Sequence, residues 1–118
     1  LKLSTFFRTS LSLDPNADVT LGEEIELQRL YLDIEKVRFP RRLKVDIVVP
    51  AYLASARLPA LVLQPVVENA IKYGVSATRD KVTLRIEASE PWPGRLRIEI
   101  TNSGGTALKS PRQGTHQD

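Results

Sequence analysis

The sequence has no cysteine, no methionine and a single histidine among its 118 residues. Without cysteine there is no disulfide framework and no thiolate metal site, as is typical of proteins from a reducing compartment. One histidine excludes a centre that needs two or three imidazoles. No run of about 18 apolar residues is present, so the sequence predicts no membrane-spanning helix and no contact with a membrane by this chain.

A large excess of either charge is also missing. The 17 basic and 14 acidic residues give a net charge of +3. The basic residues are scattered rather than gathered in a stripe, so we expect no nucleic-acid partner. With 42% hydrophobic and 26% charged residues, the composition is that of one ordinary globular domain. Because the chain has no initiator methionine and ends in a polar segment, we expect it to be a piece of a longer protein.

Helical patterns dominate the first third of the chain. Apolar residues in the segment 1–13 lie near helical spacing and predict the end of a helix. Thr20 and Glu23 form a capping-box pattern, which predicts that a helix begins at this point. An apolar face, acidic first turns and a basic last turn continue to Phe39, and Pro40 ends the helix.

The remaining two thirds alternate between strand and helix signals. Residues 43–49 predict a strand, and residues 60–73 predict a helix that bends or begins at Pro65, with Gly74 as its stop. Residues 81–88 and 95–101 alternate in polarity and predict an antiparallel hairpin with a turn at 91–94. Residues 102–118 predict a loop or disordered tail. The expected fold class is α/β: a two-layer sandwich with helices on one face of a mixed, mostly antiparallel sheet.

The second predicted helix carries the densest group of polar side chains. Glu68 and Lys72 are four residues apart, as are Asn69 and Tyr73, so all four lie on one helical face. One interpretation is a solvated face with a surface salt bridge. The other is a platform for phosphate and metal, because an amide oxygen suits a hard cation and a lysine suits phosphate.

A small, glycine-containing turn follows the last predicted strand. Residues 100–105 place Asn102 beside Gly104 and Gly105. Glycine lets a backbone approach a ligand closely, although two glycines after a strand are also typical of an ordinary turn.

Taken together, these motifs resemble the ATP-binding region of sensor histidine kinases in the GHKL superfamily, which has the Bergerat fold. The resemblance is strongest to the Lyt-type, or autolysin-sensor, branch. Three stretches carry it: residues 19–39 with the run Tyr-Leu-Asp-Ile-Glu-Lys-Val-Arg-Phe, residues 58–74 with Leu-Gln-Pro-Val-Val-Glu-Asn-Ala-Ile-Lys, and residues 98–104 with Ile-Glu-Ile-Thr-Asn-Ser-Gly. They are similar to the helix that leads into the catalytic domain, to the N box and to a first glycine box.

The resemblance implies a role for each matching residue of the N box. Asn69 would be the Mg²⁺ ligand, and Glu68 would assist phosphoryl transfer by polarising the accepting group or a water. Lys72 would contact the nucleotide phosphates, and Tyr73 would line the nucleotide. The implied cofactors are ATP and Mg²⁺.

The glycine box and the tail depart from the family pattern. Asn102 stands where the family has an Asp that reads adenine; its side-chain oxygen can still accept a hydrogen bond. Gly104 matches the next glycine, but Thr106 replaces the last one. No second glycine box follows. His116, the only histidine, lies in the polar tail and is not in the place of the family's phosphoacceptor.

The resulting hypothesis is the catalytic region of a two-component sensor histidine kinase. The parent would transfer the γ-phosphoryl group of ATP to its own His and then to a response regulator. We expect a homodimeric parent with this region on the cytoplasmic side of the inner membrane.

We expect three parts: residues 1–18 as the end of a dimerisation helix and linker, 19–105 as an incomplete ATP-binding domain, and 106–118 as the start of an ATP lid or a disordered tail. The chain alone should not autophosphorylate, because it lacks the acceptor His. The alternatives are another GHKL ATPase or Ser kinase, and a non-catalytic interaction module that has lost the nucleotide.

Overall fold

A computed structural model of the chain describes residues 4–76 and 79–104. Six strands and two helices follow one another with two short helical turns between them. In chain order they are β1 (Ser4–Ser12), β2 (Val19–Thr20), α1 (Leu21–Arg38), β3 (Leu43–Val48), a 3₁₀ turn (Ala51–Leu53), β4 (Arg57–Leu58), α2 (Gln64–Ala70), a π-helical turn (Ile71–Val75), β5 (Val82–Trp92) and β6 (Arg95–Gly104).

The main sheet has four strands in the order β1-β6-β5-β3, and β2 pairs with β4 in a separate short ladder. β1, β6 and β5 are antiparallel neighbours, whereas β3 runs parallel to β5. Buried residues alternate along β5 and β6 and form one core with the buried residues of both helices. The predicted α/β class, its mixed sheet and its hairpin are therefore confirmed, and the arrangement agrees with a two-layer sandwich.

The prediction of a helix over residues 1–13 is wrong. Residues 4–12 form the edge strand β1, with Leu11 opposite Leu96 of β6. On the other face of the same pair, Arg8 forms an ion pair with Glu99 at 3.0 Å. Ser, Thr and Phe fit a pleated strand well, and pairing with a partner more than 80 positions away outweighs a weak helical spacing.

Helix α1 begins where the sequence predicts. The Thr20 side chain accepts from the Glu23 amide at 3.1 Å, and the Glu23 carboxylate accepts from the Thr20 amide at 2.9 Å. This capping box satisfies two backbone donors at the helix start. The helix ends at Arg38, with Phe39 as its cap and Pro40 after it.

The buried face of α1 is only partly the predicted apolar one. Its buried residues are Leu21, Glu24, Ile25, Gln28, Leu32 and Glu35. The apolar residues on another side are exposed, by 39% for Leu27, 62% for Leu30, 66% for Ile34 and 79% for Val37. The helix therefore presents three polar side chains to the interior and an apolar stripe to solvent.

The second helix is shorter than the predicted segment 60–73. It begins at Gln64 with Pro65 in its first turn, where a missing amide hydrogen costs nothing. After Ala70 the chain continues in the π-helical turn rather than stopping at Gly74. Gly74 is buried within that turn, so its prediction as a helix stop is wrong.

Glu24 fixes the loop that leads into α2. Its carboxylate is 2% exposed and accepts from the backbone amides of Leu61 at 3.0 Å and Leu63 at 2.9 Å. Leu61 has a φ of +61°, a left-handed conformation that is uncommon for a residue with a Cβ. The two charge-assisted hydrogen bonds hold this unusual loop against α1.

The last strand reaches further than the sequence predicts. Asn102 and Gly104, expected in a loop, belong to β6, and Gly104 lies opposite Val82. The rest of the predicted tail, including Thr106 and His116, lies outside the described residues. Within the described part of the chain, no helix has the length and apolar character needed to cross a membrane.

Candidate functional site

The polar face of α2 is exposed, as the sequence predicts. Glu68 and Asn69 lie on the last turn of the helix, and Lys72 and Tyr73 continue this face along the π-helical turn. Val67, Ala70 and Ile71 point into the core instead. The buried residues thus hold the segment on the sheet while the four predicted site residues face outward.

Glu68 and Lys72 each contact another side chain on this face. The Glu68 carboxylate accepts from Gln64 Nε2 at 3.0 Å, one turn earlier. The Lys72 ammonium lies over the Tyr73 ring, 5.1 Å from its centroid, which is a cation–π distance. Lys72 therefore offers a cationic group next to an aromatic ring, and Glu68 is oriented by an amide.

Asn102 joins β6 to α2. Its side chain is 1% exposed, and its Nδ2 donates to the Ala70 carbonyl oxygen at 2.8 Å. A buried amide needs such partners because an unpaired polar group in the interior is costly. The structure thus brings together the two motifs that the sequence singles out, with Asn102 beneath the helix that carries the other site residues.

Gly74 makes this contact possible. A Cβ placed on Gly74 would lie 2.1 Å from Asn102 Nδ2 and 2.6 Å from its Cγ, far closer than van der Waals contact allows. Glycine is therefore required at this position because the Asn102 amide lies directly against its backbone.

Gln28 is a site residue that the sequence analysis does not identify. It lies fully buried on α1, and its Nε2 donates to Gln64 Oε1 at 3.0 Å. Its own Oε1 has no hydrogen-bond partner in the part of the chain that the structure describes. A buried, incompletely paired amide at the base of the polar face is unexpected in a helix interface, where an apolar side chain packs at lower cost.

Tyr31 and Glu35 extend the polar side of α1 next to this face. Burial raises the pKa of the Tyr31 hydroxyl, and the negative charges of Glu35 and Glu68 raise it further. Glu35 also forms an ion pair with Arg38 at 2.9 Å. The negative charge of Glu68 on α2 therefore acts on the Tyr31 hydroxyl on α1, and Tyr31 keeps its proton at neutral pH.

Two concavities lie away from this face. One, of about 710 Å³, is lined by Gly22, Glu26, Leu27, Leu30 and other residues at the start of α1. The other, of about 410 Å³, lies beside Arg41, Lys44 and Lys81. Neither concavity is lined by Glu68, Asn69, Lys72 or Tyr73.

The residues on this face fit a magnesium ion that is bound together with phosphates. Residues 4–76 and 79–104 contain no cluster of three or more His, Cys, Asp or Glu that could hold a metal ion. Mg²⁺ at nucleotide sites is commonly held by one or two carboxylates and completes its shell with waters and substrate phosphates. Here the exposed Asn69 amide would supply a neutral oxygen in place of a carboxylate, next to Glu68 and one turn from Lys72.

Known proteins match the chain over most of its length. The family described as Histidine kinase matches residues 1–43. The chain is 48% identical to "Sensor histidine kinase BtsS" of Escherichia coli (strain K12) over 104 residues, which are 87% of this chain and 18% of that protein. It is 36% identical to "Sensor protein LytS" of Oceanobacillus iheyensis over 90 residues, which are 76% of this chain and 15% of that protein.

A further relative is "Sensor histidine kinase/phosphatase LytS" of Staphylococcus aureus (strain MRSA252), 29% identical over 104 residues. The aligned segment spans 18% of that relative, and in each of these three proteins the chain covers less than a fifth of the length. No solved structure matches the chain at a significant level.

Proposed function

The chain belongs to the sensor histidine kinases of the Lyt type, and we propose that it forms part of the ATP-binding catalytic region of such a kinase. The longer protein would transfer the γ-phosphoryl group of ATP to one of its own histidines, and then to an aspartate of a response regulator. The observation that carries this proposal is the exposed polar face of α2, with Glu68, Asn69, Lys72 and Tyr73 side by side.

Nucleotide binding on this face rests on complementary groups. The Lys72 ammonium is a point charge for phosphate oxygens, and the neighbouring Tyr73 ring is 54% exposed and offers an apolar surface to the nucleoside. Asn69 would hold Mg²⁺ through its amide oxygen; when bound, the ion neutralises charge on the phosphates. We assign this region to the GHKL class with a Bergerat fold on the same grounds.

Phosphoryl transfer depends mainly on positioning and on stabilising charge. The acceptor imidazole nitrogen forms a bond to the γ-phosphorus while the bond from that phosphorus to the β-phosphate oxygen breaks. Glu68 would accept a hydrogen bond from the other imidazole nitrogen and so favour the reactive tautomer. Lys72 would stabilise the charge that remains on the phosphate oxygens.

Replacement of Asn69 in the longer protein tests this proposal. Asn69→Ala should abolish Mg²⁺-dependent ATP turnover, since it removes the proposed metal ligand from an exposed position and leaves the core intact. Asn16→Ala, in the exposed turn before β2, is the matched control and should retain full turnover. Unchanged turnover in Asn69→Ala would refute the assignment.

One observation favours a second candidate, a non-catalytic interaction module. Asn102 replaces the family's adenine-reading Asp, and its amide nitrogen is already bonded to Ala70. Asn102 therefore offers a neutral acceptor where the family has a charged one. The discriminating measurement is calorimetric titration with ATP and GTP: preference for ATP supports adenine recognition through Asn102, and binding of neither nucleotide supports the module.

The partners follow from the same proposal. They would be ATP, a response regulator and a second copy of the parent protein, with this region on the cytoplasmic side of a membrane-anchored sensor. The names of the relatives favour a histidine kinase over an ATPase or Ser kinase of the same superfamily.

A further inference from the structure

A chain of amide hydrogen bonds links the interior of α1 to the exposed carboxylate of Glu68. Gln28 Nε2 donates to Gln64 Oε1, and Gln64 Nε2 donates to Glu68 Oε2, with both distances 3.0 Å. Gln28 lies 36 positions before Gln64 and on a different helix. The three side chains therefore connect a fully buried site to the predicted catalytic face.

The Glu68 carboxylate sets the donor–acceptor direction of these hydrogen bonds. A carboxylate only accepts hydrogen bonds, so Gln64 must turn its nitrogen toward Glu68. Gln64 Oε1 then faces Gln28, which must turn its own nitrogen toward it. Without Gln28 as a donor, Gln64 Oε1 loses its partner on α1. The Gln64 side chain is then free to change rotamer, and the Glu68 carboxylate loses its orienting partner.

Gln28, the buried member of this hydrogen-bonded series, is energetically unfavourable for the fold. Gln28 is fully buried, and its Oε1 has no partner among residues 4–76 and 79–104. An unpaired buried acceptor destabilises the fold. A leucine of similar size would remove this acceptor, and Gln64 Oε1, which is only half-buried, would then bond to water instead. Functional sites commonly retain such locally unfavourable side chains, and stabilising replacements there reduce activity.

We infer that Gln28 is a positioning residue, which acts through Gln64 to hold the Glu68 carboxylate in the orientation needed for phosphoryl transfer. This inference rests on the proposed function of Glu68. Gln28 is too deeply buried to touch the nucleotide or the acceptor, so its effect on the reaction passes through the other two side chains.

The test is a double-mutant cycle in the full-length protein. Gln28→Leu should lower kcat by about tenfold, keep the KM for Mg·ATP within about twofold and leave the thermal stability equal or higher. In a Glu68→Ala background, the same substitution should change the residual turnover by less than about twofold, because its route to the reaction has been removed. Gln28→Met, which keeps the side-chain length, provides a second variant if the leucine protein folds poorly.

Leu32→Met is the matched control, since Leu32 is also buried in α1 but takes no part in the amide chain. It should leave kcat unchanged. An equal loss of kcat from Gln28→Leu in both backgrounds, or a loss that Leu32→Met reproduces, would overturn the positioning role while leaving Glu68 in place. Full turnover in Glu68→Ala would instead refute the proposed function of Glu68, and the inference with it.

Discussion

The side-chain amide of Asn102 lies directly against the backbone of Gly74, so that a Cβ on Gly74 would come within 2.1 Å of Asn102 Nδ2. This contact fastens the end of β6 to the turn after α2. Gly74→Ala must displace Asn102 from its hydrogen bond with Ala70. We expect it to lower the free energy of unfolding by about 1–3 kcal/mol, the usual range for overpacking in a core, as measured by urea denaturation.

A second substitution shows whether the loss comes from the clash with Asn102 or from a turn that tolerates no substitution. In an Asn102→Ala background the extra methyl of Gly74→Ala has room, so its cost should fall by at least about 1 kcal/mol. Ser76→Ala, at an exposed position just after the turn, should change the stability by less than about 0.5 kcal/mol. Equal costs for Gly74→Ala in both backgrounds would contradict the contact.

The buried carboxylate of Glu24 gives a prediction about the loop before α2. Glu24→Ala leaves the amides of Leu61 and Leu63 without their acceptor, and hydrogen bonds to charged groups contribute about 1.5–3 kcal/mol each. We expect a loss of about 3 kcal/mol in a denaturant titration. Glu24→Gln, which retains one acceptor oxygen, should lose less.

Glu26→Ala is the control for that measurement, because it removes a carboxylate from the exposed side of the same helix. Its ion pair with Arg29 joins two largely exposed side chains, and such pairs contribute less than about 1 kcal/mol. If Glu24→Ala and Glu26→Ala had the same small effect, the role of Glu24 in holding the loop before α2 would be wrong.

Tyr31 should lose its proton only above its ordinary pKa of 10.0. Burial, followed by the charges of Glu35 and Glu68, raises the pKa of Tyr31 above its ordinary value of 10.0. The folded state therefore holds this proton more tightly than the unfolded state. The resulting stabilisation is fully present below pH 10 and is lost as the pH rises through the raised pKa.

Ultraviolet titration of tyrosinate formation measures this directly, with Tyr31→Phe identifying the signal of Tyr31. Glu68→Gln should move the Tyr31 transition to lower pH, because one of the charges that raise its pKa is gone. A Tyr31 transition at or below pH 10, or one that is insensitive to Glu68→Gln, would show that the two side chains are not neighbours.

The apolar stripe on the outside of α1 makes no contribution to the core. Leu30 and Ile34 are 62% and 66% exposed, so Leu30→Gln and Ile34→Gln should each change the unfolding free energy by less than about 0.5 kcal/mol. Leu32→Ala, which truncates a side chain only 1% exposed, should cost about 2–5 kcal/mol. Comparable losses at Leu30 and Leu32 would reverse the assignment of the buried face.

Local signals in the sequence were sufficient for much of this fold. The capping box at Thr20 and Glu23 involves residues three positions apart, and the alternation of β5 and β6 is visible within each strand. The exposed face of Glu68, Asn69, Lys72 and Tyr73 likewise follows from helical spacing alone. Each of these features depends on neighbours in the sequence, which is why each could be predicted.

The features that were missed depend on distant partners. Strand β1 needs β6 as its neighbour, and neither its composition nor its spacing identifies that partner. Glu24 and Gln28 look like ordinary polar helix residues until α2 and its preceding loop, 36–39 positions away, pack against them. For the same reason Gly74 resembled a helix stop, although its role is set by the Asn102 side chain.

The central claim is that the outer face of α2 binds Mg·ATP through Asn69. The most direct measurement is ATP affinity in the full-length protein with Mg²⁺ and with excess chelator, for the wild type, Asn69→Ala and the control Asn16→Ala. We predict that chelation weakens ATP binding at least about tenfold in the wild type and the control but has no effect in Asn69→Ala. An equal dependence on Mg²⁺ in all three proteins would contradict the claim.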